Sequence, residues 1–104
     1  MLELSTAKIV RVIALTREYG PDHPHLHEYI ASFNDDEKAN LVALMWVGRE
    51  SFEPEQFDEA RKQAFEEATA PTEDYLSGMP ELAEHLEDGL DKLGIDVADA
   101  EDQM

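Results

Sequence analysis

The segment from Asn34 to Val47 constrains this chain more than any other. Asn34-Asp35-Asp36-Glu37 reads as a capping box with Asn in place of Ser or Thr. The Asn34 side chain can accept a backbone N–H, and Glu37 can reach back to the N–H of Asn34. Seven consecutive apolar residues soon follow, Leu41-Val42-Ala43-Leu44-Met45-Trp46-Val47. A helix that is apolar nearly all round has no face to offer to water, so other elements must surround it. The run is far short of the roughly 20 residues that cross a bilayer. The chain is therefore expected to be an all-α bundle with the Leu41–Val47 helix at its centre.

The rest of the sequence carries helix punctuation. Ser5 stands as an N-cap, with Leu4 before it and Ile9 placed to form a hydrophobic staple. That helix runs to about Tyr19 and stops at Gly20-Pro21. Pro24 suits the first position of a second helix, in which Leu26, Tyr29, Ile30 and Phe33 share one face. After Gly48, Pro54 opens a fourth helix, with Phe52 placed to staple onto Phe57 and a stripe of Phe57, Ala60, Ala64 and Ala68. It ends near Thr69-Ala70-Pro71. Thr72 is expected to cap a single turn through Leu76, broken at Ser77-Gly78. Pro80 then begins the last helix, with Leu82, Leu86, Leu90 and Leu93 on one face. Gly94 followed by Ile95 reads as a Schellman stop. No strand pattern competes, so five or six helices form one domain over residues 1–95. Residues 96–104 are expected to be an acidic, frayed tail.

Charge narrows the functional classes. The chain has 25 acidic and 8 basic side chains, a net charge of −17. Leu, Ile, Val and Phe make up 24 of its 104 residues, above the roughly one-fifth floor below which such charged chains stay unfolded. A surface this anionic excludes direct binding to nucleic-acid phosphates or to anionic lipid. There is no cysteine, which removes disulfides, thiolate metal sites and cysteine nucleophiles. The first residues lack the basic start and apolar stretch of a signal peptide. A soluble cytoplasmic protein is expected.

Three segments carry a likeness: Trp46-Val47-Gly48-Arg49-Glu50-Ser51-Phe52, Asp74-Tyr75-Leu76-Ser77-Gly78-Met79-Pro80, and Leu86-Glu87-Asp88-Gly89-Leu90-Asp91-Lys92-Leu93-Gly94. With the opening Leu4-Ser5-Thr6, they make the chain resemble a family of small, acidic, all-helical bacterial proteins classed only as a domain of unknown function. The resemblance runs from Leu2 to about Asp96. It implies a helical single domain in a bacterial cytosol and supplies no activity, ligand or catalytic residue.

The residues themselves offer few chemical constellations. His23, His25 and His27 alternate beside Asp22 and Glu28, and imidazole with carboxylate can bind zinc or nickel. His25 and His27 would point about 200° apart on a helix. His23 and His27 are thus the candidate metal ligands, with Glu28, His85 or a neighbouring chain as a third. The competing reading is a polar loop whose histidines are solvated or cap the helix. No phosphate-binding glycine loop, GxSxG or HExxH occurs, so no catalytic residue is assigned and no cofactor is expected. Arg49 follows the central helix and reads as a structural tie to a carboxylate such as Asp74 or Glu53, as an anion-binding group, or as simply exposed. Trp46 reads as a core residue with its indole bonded to a carbonyl, or as part of a partner groove.

The distribution of charge is the best functional clue. Residues 66–104 hold 13 acidic groups and one basic, a net of −12, against −5 for residues 1–65. On the last helix, Glu81, Glu84, Glu87, Asp88 and Asp91 lie opposite the leucines. They form either a solvated face or a docking surface for a basic partner protein, nucleic-acid mimicry being a special case. The leading expectation is a non-catalytic interaction or regulatory module. The alternative is a metal-binding protein or small metal-dependent enzyme using the histidines. Oligomeric state is left open.

Overall fold

The computed structural model describes residues 4–67 and 71–95. Among them are six α-helices and no strand: α1 Thr6–Tyr19, α2 Pro24–Ala31, α3 Asp35–Gly48, α4 Phe57–Glu66, α5 Thr72–Leu76 and α6 Leu82–Lys92. A 3₁₀ turn, Pro54–Gln56, leads into α4. The expected behaviour of Ala68, Thr69 and Ala70, and of the tail 96–104, lies outside the described residues.

The central helix forms as its sequence dictates. Asn34 Oδ1 accepts the N–H of Glu37 at 2.7 Å, and Glu37 Oε1 accepts the N–H of Asn34 at 3.0 Å. Asp35, Asp36 and Glu37 occupy the first turn, where the positive end of the helix favours them. Leu41 to Met45 and Val47 are buried, and α4, α5 and α6 all pack against α3. Asn40 is also buried, with its amide donating to the carbonyl of Asp36 at 2.8 Å.

The neighbours supply the facing surfaces. Leu4 and Ile9 both enter the core from the start of α1, as a staple requires. Ser5 holds the N-cap position, yet its side chain makes no capping bond. On α2, Leu26 and Ile30 are buried and Phe33 follows them into the core. On α4, Phe57, Ala60 and Ala64 are buried. The small alanines let this helix lie close to α3.

Four local expectations are corrected. Thr72 is the first residue of α5, and Pro71 holds the capping position without a side-chain bond. Pro80 precedes α6: Leu82 N–H closes a tight turn on the Met79 carbonyl at 3.2 Å, and the first helical bond runs from His85 N–H to Glu81 at 2.9 Å. Pro54 opens a 3₁₀ turn before α4, not α4 itself. Phe52 stacks on Trp46, ring centroids 5.6 Å apart. The stop at Gly94 is as read. Its φ is +75°, Ile95 N–H reaches the Leu90 carbonyl at 2.9 Å, and Gly94 N–H reaches that of Asp91 at 3.0 Å. This is the Schellman pair of bonds.

Candidate functional site

The seat of α6 sets where its acidic face points. Leu82, Ala83, Leu86, Gly89 and Leu90 are its buried residues. Gly89 has no room for a side chain: a Cβ there would stand 2.5 Å from the carbonyl oxygen of Leu44. Gly48 is tighter still, with a Cβ falling 1.7 Å from the carbonyl oxygen of His85. Two glycines thus bring α3 and α6 into backbone contact. Lys92 adds a tie from the last turn of α6, its Nζ 3.4 Å from the Val47 carbonyl and 3.3 Å from Glu50. A lysine there satisfies a terminal carbonyl and the negative end of α3.

Of the five acidic residues expected to face a partner, four are open to solvent, Glu81 among them although its carboxylate lies 3.9 Å from His85 Nε2. Glu81, Glu84, Asp88 and Asp91 are exposed. At about 100° per residue, Glu84, Asp88 and Asp91 fall within about 60° of one another. Glu87 lies about 40° beyond that arc, on the side where α1 packs. Its two carboxylate oxygens accept from the two terminal nitrogens of Arg17, Nη1 at 2.9 Å. Glu87 is therefore a fork-shaped tie between α1 and α6.

Trp46 does not join this face. It lies about 160° round α3 from both Leu44 and Gly48, the residues that meet α6. Its half-buried indole donates to the Tyr75 hydroxyl at 3.1 Å rather than to a carbonyl. Arg49 is exposed, and its Nε donates to Ser51 Oγ at 3.0 Å. Among the described residues no carboxylate holds Arg49. Asp74, one of the two expected acceptors, instead faces His27 at 2.7 Å.

Asp74 belongs to a row of ties along α5. Glu73 pairs with Lys38 at 3.1 Å, Asp74 with His27, and Tyr75 with Trp46. Leu76 is fully buried, and Gly78 N–H donates to the Pro21 carbonyl at 2.9 Å. The Glu73 carboxyl is held below the usual carboxylate range by its own backbone N–H, assisted by Lys38 against the cost of burial. Glu37 is likewise lowered, first by Lys8 and then by the Asn34 N–H.

The histidines do not assemble into a metal site. His23 is the N-cap of α2, and its Nδ1 accepts the His25 N–H at 3.2 Å. Its ring stacks on Tyr19 at 4.6 Å and on His25 at 5.0 Å. His27 turns away to Asp74, so His23 and His27 do not converge. Among the described residues no three His, Cys, Asp or Glu side chains are grouped as metal ligands. The N-cap role of His23 explains the geometry: a ring that caps the helix end is not free to swing toward its next turn.

Two residues escaped the sequence reading. Gly89 interrupts the leucine pattern of α6, and a glycine inside a helical pattern is itself the signal of a close approach. Lys92 stood out only as the lone base of an acidic stretch, although a base in a last turn is placed to cap carbonyls. Its target belongs to another helix and is invisible in one dimension. No described helix is long and apolar enough to cross a membrane.

The three segments that carry the family likeness meet around the end of α3. Trp46 bonds Tyr75, Gly48 abuts Gly89, and Lys92 reaches Glu50. No curated protein and no solved structure matches the chain. The sequence model of a family described as "Protein of unknown function (DUF3775)" matches residues 23–95. The match covers α2 to α6 and leaves out α1, a narrower span than the likeness suggested. It takes in most of the chain, which therefore belongs to the DUF3775 family of proteins of unknown function.

Proposed function

We propose that this protein is a non-catalytic interaction module of the bacterial cytoplasm that presents Glu81, Glu84, Asp88 and Asp91 to a basic partner protein. The observation that carries the reading is the exposure of these four carboxylates on a helix whose back is seated backbone to backbone on α3. A rigid row of like charges speeds encounter with a basic surface and repels acidic ones. Glu87 is left out because Arg17 occupies it. Trp46 is left out because its contacts lie on the side of α5.

The test compares three proteins as baits in a native lysate: wild type, the variant E81Q/E84Q/D88N/D91N, and the control E55Q/E59Q/E66Q/E67Q. Both variants lose the same charge, but the control loses it from α4 and its flanks. A protein retained by wild type and control, and lost with the α6 variant, supports the reading. Equal retention by all three, or equal loss from both variants, removes it.

A further inference from the structure

A groove of about 470 Å³ lies between α1 and α2, lined by Arg11, Leu15, Tyr19, His25, Glu28, Tyr29 and Ser32. We propose that it is a binding site for a small zwitterion carrying an aromatic ring, the chemical class of the aromatic amino acids. The volume is within the roughly 300–1,000 Å³ range of small-ligand sites.

Four observations carry the assignment. First, Arg11 is exposed and lies 5.9 Å from the centroid of the Tyr29 ring. Lys8, Arg17, Lys38 and Lys92 are each paired with a glutamate, whereas Arg11 has no carboxylate partner among the described residues. Its guanidinium remains available to grip a carboxylate with two parallel bonds. Second, Glu28 is exposed on the other wall and pairs with no described cation. One cation on α1 and one anion on α2 therefore face a single groove without neutralising each other. Third, the walls between them are rings. Tyr19 is 43% exposed; it and His25 each turn one face to His23, and their remaining surfaces, with Tyr29, are where another ring can pack. Fourth, the chain has a net charge of −17. A plain anion would do work against that field to reach Arg11, and a zwitterion does none on balance. The groove shares no residue with the acidic face of α6, and its test is separate.

The test is a chemical-shift titration of the ¹⁵N-labelled protein with four probes: phenylalanine, N-acetylphenylalanine, phenylalanine amide and glycine. Phenylalanine is expected to give saturable shifts confined to amides of α1 and α2, and glycine none. Arg11→Gln should weaken phenylalanine and the N-acetyl form about ten-fold and leave the amide form unchanged. Glu28→Gln should do the reverse, weakening phenylalanine and the amide form only. Both residues are exposed, so the variants keep their fold, which circular dichroism verifies. Absence of saturable shifts with phenylalanine, shifts mapping elsewhere, or a variant that changes all ligands equally would each overturn the proposal.

Discussion

Three single residues decide more than their size suggests. Gly48 and Gly89 are the points where α3 and α6 touch, and an added methyl at either would overlap backbone that cannot yield. Gly89→Ala is expected to destabilise by at least the roughly 1–3 kcal/mol of an overpacked core site, although alanine is the better helix former. Denaturant melts followed by circular dichroism would read the loss, and a neutral or stabilising effect would contradict the close seating of the helices. Glu50 works in the opposite sense. It is the one non-glycine with positive φ among the described residues, at 68°. Ser51 N–H reaches the Trp46 carbonyl at 2.8 Å and Glu50 N–H that of Val47 at 3.1 Å, so Glu50 occupies the left-handed position of a Schellman stop. A side chain there costs about 1 kcal/mol or more, and the exposed pair with Lys92 returns little. Glu50→Gly should raise the melting temperature despite losing that pair. Glu50 could not be read as left-handed from its residue type, because the stop sequence Gly48-Arg49-Glu50 puts its glycine two places earlier.

At the scale of elements, α5 is the part held together by its neighbours. A five-residue helix has no stability of its own. It is kept by the buried Leu76 and by polar ties from three consecutive residues, Glu73, Asp74 and Tyr75. Hydrogen exchange should therefore show the amides of Asp74 to Gly78 opening at lower free energy than those of Leu41 to Val47. Equal protection would show that α5 unfolds only with the whole domain. Acid should act on the same ties. Glu73 and Glu37 have lowered carboxyl pKa values in the folded protein. Below about 4.5, their ordinary value, the unfolded chain takes up their protons first. The stability these groups contribute is thus full above that pH and is lost as pH falls through their lowered values. Glu73→Gln and Glu37→Gln should each flatten this part of the stability profile, measured by thermal melts from pH 6 down to about 3. The helices themselves were legible because caps, prolines and periodicity are local. The ties of α5 were not, since Lys38, His27 and Trp46 stand far away in sequence and nothing in Glu73-Asp74-Tyr75 specifies them.

For the whole molecule the governing quantity is the net charge of −17. Among the described residues four lysine or arginine pairs with glutamate are seen, against 20 aspartate and glutamate side chains. Repulsion therefore outweighs the attractions that salt would screen. Melting temperature should rise between low ionic strength and about 0.5 M sodium chloride, where the Debye length falls below 10 Å. A fall with salt would mean that the ion pairs dominate.

The chain's own order of residues determined that α3 is the buried centre, because seven apolar residues after a strong cap admit no other place. It also determined the helical class and the concentration of charge toward the C-terminus. Only the tertiary structure decided which acids remain available. Glu87 and Asp74 have the same chemistry as their neighbours, and the packing of α1 and α2 brings Arg17 and His27 to them. It likewise separated Trp46 from the acidic face and His23 from His27. Composition and periodicity record what a residue is and which way its helix faces. Whether a charged or aromatic group meets a partner depends on residues brought within a few ångströms from distant parts of the chain.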